Sequence, residues 1–230
     1  MDKINDLLLY LPVLLLAFTF HEFGHAWVAW RLGDDTAYKE GRVTLDPRSH
    51  IDPIGSILFP ALAAMTGAPI LGWARPVPFN PSKMRNPRRG DLLVSLAGVA
   101  MNLVLVLVFT IFVAILVGAG AANADDIVAI LMRTGTTGGG VGQAALQFGV
   151  MGILVNVSLI VFNLLPIPPL DGSKVVYHFL PRSMAEAYRG LDRYGFLILW
   201  ALVLTRALSF MSPVVYGITV FFLQVALRAA

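Results

Sequence analysis

Hydrophobic and polar residues in this chain separate into long blocks and do not alternate. The apolar run from Leu7 to Leu32 is long enough, as a helix, to span a hydrocarbon layer about 30 Å thick. Gly33 to Asp52 turns polar, and within it Gly41 to Leu45 predicts a short strand. Pro53 to Trp73 is apolar again, but Pro53, Gly55, Pro60, Gly67, Pro69 and Gly72 punctuate it. A re-entrant or surface-lying segment is expected there in place of a straight span. Ala74 to Asp91 is basic and proline-rich, with Pro76 to Phe79 extended. Leu92 to Gly118 predicts a second span, Ala119 to Gly142 a glycine-rich loop, and Ala144 to Leu165 a third span that runs into the proline-broken stretch before Asp171. After a polar, basic stretch from Gly172 to Arg193, Tyr194 to Met211 and Pro213 to Leu227 predict a closing helical hairpin.

The expected fold is therefore an all-α polytopic membrane protein. It has about five transmembrane helices, a re-entrant or surface segment, and short β-strands at the cytoplasmic face. No internal repeat or appended soluble domain interrupts the pattern. Residues 1–230 read as one membrane-embedded domain, with core helices 7–32, 92–118 and 144–171 and a hairpin at 194–227.

Composition sharpens this. The chain is 57% hydrophobic and 13% charged, with mean hydropathy +0.74, whereas soluble domains carry about 25% charged residues. Cysteine is absent, so disulfides and thiolate ligands are excluded and any zinc must be held by His, Asp or Glu. A net charge of +3 would fit nucleic acid, but no nucleic-acid motif is present and the basic residues sort by membrane side. They gather at Arg31, Lys39, Arg42 and Arg48, in Ala74 to Asp91, at Lys174, Arg182, Arg189 and Arg193, and at Arg228. The positive-inside rule makes all these regions cytoplasmic, with the amino terminus outside and the carboxy terminus inside.

Inside the first apolar run lies Phe20-His21-Glu22-Phe23-Gly24-His25. On a helix His21 and His25 stand one turn apart on one face, where two imidazoles can grip a zinc ion beside the carboxylate of Glu22. Zinc lowers the pKa of bound water to about 7, and a neighbouring carboxylate can take its proton and pass it to a leaving amine. Ionisable groups at membrane depth are costly, which favours a functional reading over a chance motif.

The third ligand must lie at similar depth on another element. Asp171, at the inner end of the third span, meets this condition if Pro53 to Trp73 does not cross; a single crossing would put it about 30 Å away. The other acids lie on the wrong side or in polar loops. His50 is the alternative ligand, and His178 reads as a surface residue. Ser95, Gly98 and Asn102 share one face of the second span, which predicts close helix packing with Asn102 bonding across helices.

Together, His21-Glu22-Phe23-Gly24-His25, Ala97-Gly98-Val99-Ala100-Met101-Asn102 and Asn163 through Gly172 resemble the site-2 proteases, a family of intramembrane zinc metalloproteases. The resemblance covers the three central helices in order. It implies zinc ligation by His21, His25 and Asp171, acid/base chemistry at Glu22, and substrate holding at Asn163, with Asn102 a second substrate-binding candidate. Val99 and Ser173 replace a proline and a glycine common in that family, and no PDZ or CBS domain is expected, as in a minimal member. The implied substrate is a single-pass membrane protein whose helix unwinds and pairs with an extended edge such as Gly41 to Leu45 or Pro76 to Phe79. The implied location is the plasma (inner) membrane, in contact with the lipid bilayer, with the active site near the cytoplasmic face. Two other functions fit parts of the pattern. One is a membrane zinc peptidase acting on lipidated or soluble peptides, which would take a later glutamate as ligand, and Glu186 alone qualifies. The other is a non-catalytic zinc-binding transporter or chaperone, which would need no general base at Glu22.

Overall fold

Runs of Leu, Val, Ala and Phe can pair all their backbone polar groups away from water only as helices or closed barrels, and here they form helices. The computed structural model describes residues 3–66, 72–132 and 140–230. In order these form α1 (Lys3–Arg31), the single turn α2 (Thr36–Lys39), α3 (Phe59–Thr66), α4 (Pro87–Gly118), α5 (Ala124–Met132), α6 (Val141–Asn163), α7 (Asp171–Phe179), α8 (Arg182–Arg189), α9 (Gly195–Leu204) and α10 (Met211–Ala229). Among the described residues four helical stretches are long and apolar enough to cross a membrane: 8–31, 87–118, 141–163 and 207–229. The longest, α4, has 32 residues and so runs about 48 Å. Pro87 opens it at the first helical position, and the Asn86 side chain accepts from the Arg89 N–H at 3.2 Å.

α4 is the central helix. α1 packs against it antiparallel, pairing His25 with Val94 and His21 with Asn102. α6 packs antiparallel on another side, where Phe148 meets Phe109 edge-on at 5.6 Å. α10 runs parallel to α4 and brings Ala230 beside Gly118. The core between α4, α6 and α10 is built from Val106, Phe109, Val113, Val150, Ile153 and Leu223. On the outer face of α4, Leu103, Leu107, Ile111 and Ile115 recur every fourth residue and are all exposed. An apolar stripe left uncovered in this way matches a lipid environment.

Two expectations require correction. Among the described residues four helices, in place of about five, are long and apolar enough to cross a membrane, and of the expected closing hairpin only the second arm has that length. α9 has only 10 residues, about 15 Å of helix, which is half a hydrocarbon thickness. It stops where the Thr205 hydroxyl bonds back to the Ala201 carbonyl at 2.7 Å and Arg206 takes a left-handed conformation. The candidate span 207–229 brings Ala230 beside Gly118, so the carboxy terminus and Arg228 lie at the end of the bundle opposite to the one expected. The short β-strands are also absent among the described residues. Gly41 to Leu45 is turn and bend, with Gly41 at φ +67. Pro76 to Phe79 is extended, but Pro76 and Pro78 have no N–H to give to a ladder.

Pro53 to Trp73 turns back on itself as expected. The Asp52 side chain caps a wide helical turn at Pro53–Leu58, the Trp73 N–H donates to the Gly55 carbonyl at 3.2 Å, and the Ser56 hydroxyl donates to the Trp73 carbonyl at 2.8 Å. The two ends of the segment are thus adjacent. Residues 67–71 within it, including the expected breakers Gly67 and Pro69, lie outside the described residues.

Candidate metal centre

The His-Glu-x-x-His spacing does on α1 what helical geometry requires. His21 and His25 project toward α4, with their Nε2 atoms 3.1 Å apart. Asp171, in the first turn of α7, completes the group: its Oδ2 lies 3.2 Å from His21 Nε2 and 3.3 Å from His25 Nε2. All three residues are buried. Gly172 makes this approach possible, because a Cβ there would collide with the carbonyls of Leu164 and Leu165. Gly98 does the same from α4, where a Cβ would stand 2.6 Å from His25 Nε2.

Hydrogen bonds fix which atoms face inward. His25 Nδ1 lies 2.7 Å from the Val94 carbonyl; a carbonyl only accepts, so Nδ1 carries the proton and Nε2 presents a lone pair. His21 Nδ1 lies 2.6 Å from Asn102 Oδ1. Asn102 donates through Nδ2 to the Ala17 carbonyl at 3.2 Å and to Asn156 Oδ1 at 2.8 Å, which identifies its Oδ1 as the acceptor for His21. Asn156 in turn donates to the Gly152 carbonyl at 2.8 Å. A relay of two fully buried amides thus joins α6 through α4 to α1.

Two lone pairs and a carboxylate oxygen therefore converge with no proton between them. Asp171 Oδ2 is buried with no hydrogen-bond partner. Donors in a tetrahedral zinc site with bonds near 2.0–2.1 Å stand roughly 3.3 Å apart, the separation found here. The three residues fit zinc, and a set of two imidazoles and one carboxylate leaves a fourth position for water or substrate.

Glu22 is half-buried beside this group, and its Oε2 accepts from the Val77 N–H at 2.9 Å. Other candidates fall elsewhere. His50 is buried, but its Nε2 bonds the Thr44 carbonyl at 2.9 Å and it is not part of the metal group. Burial, with Arg42 nearby, lowers its pKa and keeps it neutral. Asn102 leaves no side-chain donor free for a substrate, because both of its N–H groups are engaged. Asn163, partly buried at the end of α6, donates from its side chain to the Leu159 carbonyl at 3.0 Å. Glu186 lies exposed on α8.

Sequence reasoning missed three participants. Asn156 carried a readable signal, a carboxamide inside an apolar span. Arg42 had been counted only for its charge, and the Val77 N–H is a backbone group with no side-chain signature.

Residues 9–202 match the profile of peptidase family M50. A Bacillus subtilis (strain 168) protein that carries the name zinc metalloprotease YwhC is 36% identical over 201 residues, covering 87% of this chain and 82% of that protein. A Mycolicibacterium smegmatis protein named as the zinc metalloprotease Rip2 is 32% identical over 195 residues, 85% of this chain and 66% of its own length. Its namesake in Mycobacterium tuberculosis (strain H37Rv) is 33% identical over 196 residues, with the same coverage of 85% and 66%. No solved structure matches the chain.

Proposed function

The chain belongs to peptidase family M50 and is a zinc metalloprotease, and from that premise we propose that it cleaves transmembrane segments of single-pass membrane proteins within the bilayer. The observation that carries this reading is the position of the His21, His25 and Asp171 group, buried among helices long and apolar enough to span a membrane. A site built for soluble peptides alone would have no reason to bear the cost of placing ionisable groups there.

In this reading His21 Nε2, His25 Nε2 and Asp171 Oδ2 hold the ion. Zinc held there supplies Lewis acidity, polarising a peptide carbonyl and bringing the pKa of water to about 7. Glu22 is the general base. With Oε2 fixed by the Val77 N–H, Oε1 takes the proton of the attacking water and later returns it to the leaving amine nitrogen. Asn102 acts through His21, keeping its Nδ1 protonated and its ring oriented, as outer partners of metal-ligating histidines do. Asn163 remains the candidate for holding substrate.

Access for a transmembrane segment is supported by an apolar groove of about 870 Å³ between α1, α6 and the corner from α9 into α10. Tyr10, Leu14 and Phe18 line it on α1. Phe18 stands one helical turn before Glu22 on the same face, so the groove leads toward the base. The distribution of basic loops supports a site near the cytoplasmic face, and the membrane in this reading is the inner one.

The test uses purified protein in vesicles with a single-pass substrate. Wild type is expected to cut inside the apolar segment, as mapped by mass spectrometry. Glu22→Gln should retain zinc and lose about 10²- to 10⁴-fold in rate, Asp171→Ala should lose zinc, and His50→Ala should keep it. Cleavage of soluble peptides but never of the embedded segment would move the chemistry to the membrane surface. Full activity in Glu22→Gln would remove the assigned base.

A further inference from the structure

Glu22 is held by one backbone donor, and that donor is itself held. Trp73 to Asn80 runs extended past the site because Pro76 and Pro78 fix their own φ and push the residues before them, Arg75 and Val77, out of helical conformations. Neither proline has an N–H, so Val77 supplies the sole backbone donor of Pro76-Val77-Pro78, and it goes to Glu22 Oε2.

Arg42 grips the other side of this segment. The residue is 5% exposed. Nη2 donates to the Arg75 carbonyl at 2.6 Å and to the Pro76 carbonyl at 3.0 Å, and Nη1 donates to the Ser49 carbonyl. The Arg75 N–H donates to the His50 carbonyl at 2.8 Å, so the guanidinium and the 49–50 turn hold the segment together. The Pro76 carbonyl and the Val77 N–H are opposite ends of one planar trans peptide unit. Fixing the oxygen therefore fixes the direction of the N–H, and a cation on the oxygen strengthens the donor.

We propose that Arg42 is a positioning residue for the general base, orienting Glu22 through the Pro76–Val77 peptide group. This rests on the peptidase reading above, in which Glu22 takes the proton of the attacking water. With Oε2 tied to Val77, the carboxylate cannot rotate freely and keeps Oε1 for proton transfer. Three carbonyls require a fork; the single ammonium of a lysine reaches fewer of them while keeping charge and stem.

The experiment measures kcat, KM and zinc content for wild type, Arg42→Lys, Arg42→Ala, Val77→Pro, the double variants and Glu22→Gln. Val77→Pro deletes the N–H and also alters the buried side chain that packs with Ala26 and Ala37, so Val77→Ala, which trims the side chain and keeps the N–H, is its control and is expected to keep most of the wild-type kcat. Arg42→Ala and Val77→Pro are each expected to lower kcat about 10- to 100-fold, with KM within about 3-fold and zinc retained. The double variant should be no worse than either single one, because both act on the same bond. Methylguanidinium should restore part of the rate to Arg42→Ala and none to Val77→Pro. Arg48→Ala, in the same loop but with its side chain in solvent, should match wild type. Should Arg42→Ala fail to fold, Arg42→Lys takes its place in the cycle. Wild-type kcat in Val77→Pro, or losses that multiply in the double variant, would overturn the inference while leaving the peptidase intact. Full activity in Glu22→Gln would instead remove the assigned base, the reading on which the inference rests.

Discussion

Gly98→Ala adds one methyl group, and the structure says where it lands. The new Cβ would stand 2.6 Å from His25 Nε2 and from His21 Cε1, and 2.7 Å from His21 Nε2. Heavy atoms in good contact lie about 3.5–4.0 Å apart, so the overlap is roughly 1 Å with both ligands together. Neither ring can simply withdraw, since His21 Nδ1 is held by Asn102 at 2.6 Å and His25 Nδ1 by the Val94 carbonyl at 2.7 Å. Releasing one of them leaves a buried polar group unsatisfied, a cost of about 1–3 kcal/mol. That cost corresponds to roughly 5- to 140-fold weaker zinc binding. The assay is competition for zinc against a chelator of known affinity in detergent, with activity followed in parallel. Gly217→Ala is the control, because its Cβ would meet nothing within 4 Å; it is expected to bind zinc as wild type does. Wild-type zinc affinity in Gly98→Ala would refute the claim that the two imidazoles are pressed against the α4 backbone.

Asn102→Ala should weaken zinc binding about 10- to 100-fold and Asn156→Ala less, since Asn156 reaches the metal group only through Asn102; the same competition assay ranks them, and the reverse order would break the relay. His50 is buried with a lowered pKa, so the unfolded chain takes up its proton first and the folded state loses stability as pH falls below about 6.5. His50→Gln should flatten that loss in thermal unfolding measured from neutral to mildly acidic pH. The natural chain has no cysteine, so single cysteines placed at Gly120 and Ala230 report alone. Both should react with an impermeant thiol reagent from the same side of oriented vesicles, and opposite sides would reinstate the closing hairpin.

The metal group was legible because zinc dictates residue type and helical spacing at once. His21 and His25 had to share a face, and Asp171 had to end a span at their depth, which in turn required Pro53 to Trp73 to return to its own side. The bonds between Trp73 and the Gly55–Ser56 turn meet that requirement. The shortness of α9 was not legible, since hydropathy registers the apolar run after Tyr194 but not the turn at Thr205 and Arg206 that ends the helix. The relay was only half legible. Asn102 and Asn156 are 54 positions apart, and only the packing of α4 on α6 makes them neighbours. Arg42 shows the other limit, because its partners are three carbonyls that any sequence would supply.

These features share one physical cause. An apolar bundle gives four helices no preferred register, since one leucine face fits another in several ways. Buried polar groups do not have that freedom, because each must find its partner or bear a penalty. Asn102 meets that demand on three helices at once, through Ala17 and His21 on α1, its own position on α4, and Asn156 on α6. Asp171 adds α7 through the two imidazoles. The bonds that orient the His21 ring are thus among the bonds that set the register of α1, α4 and α6. This is why a residue without a side chain, Gly98, faces both imidazoles, while the lipid-facing stripe of α4 is free to be any large apolar residue.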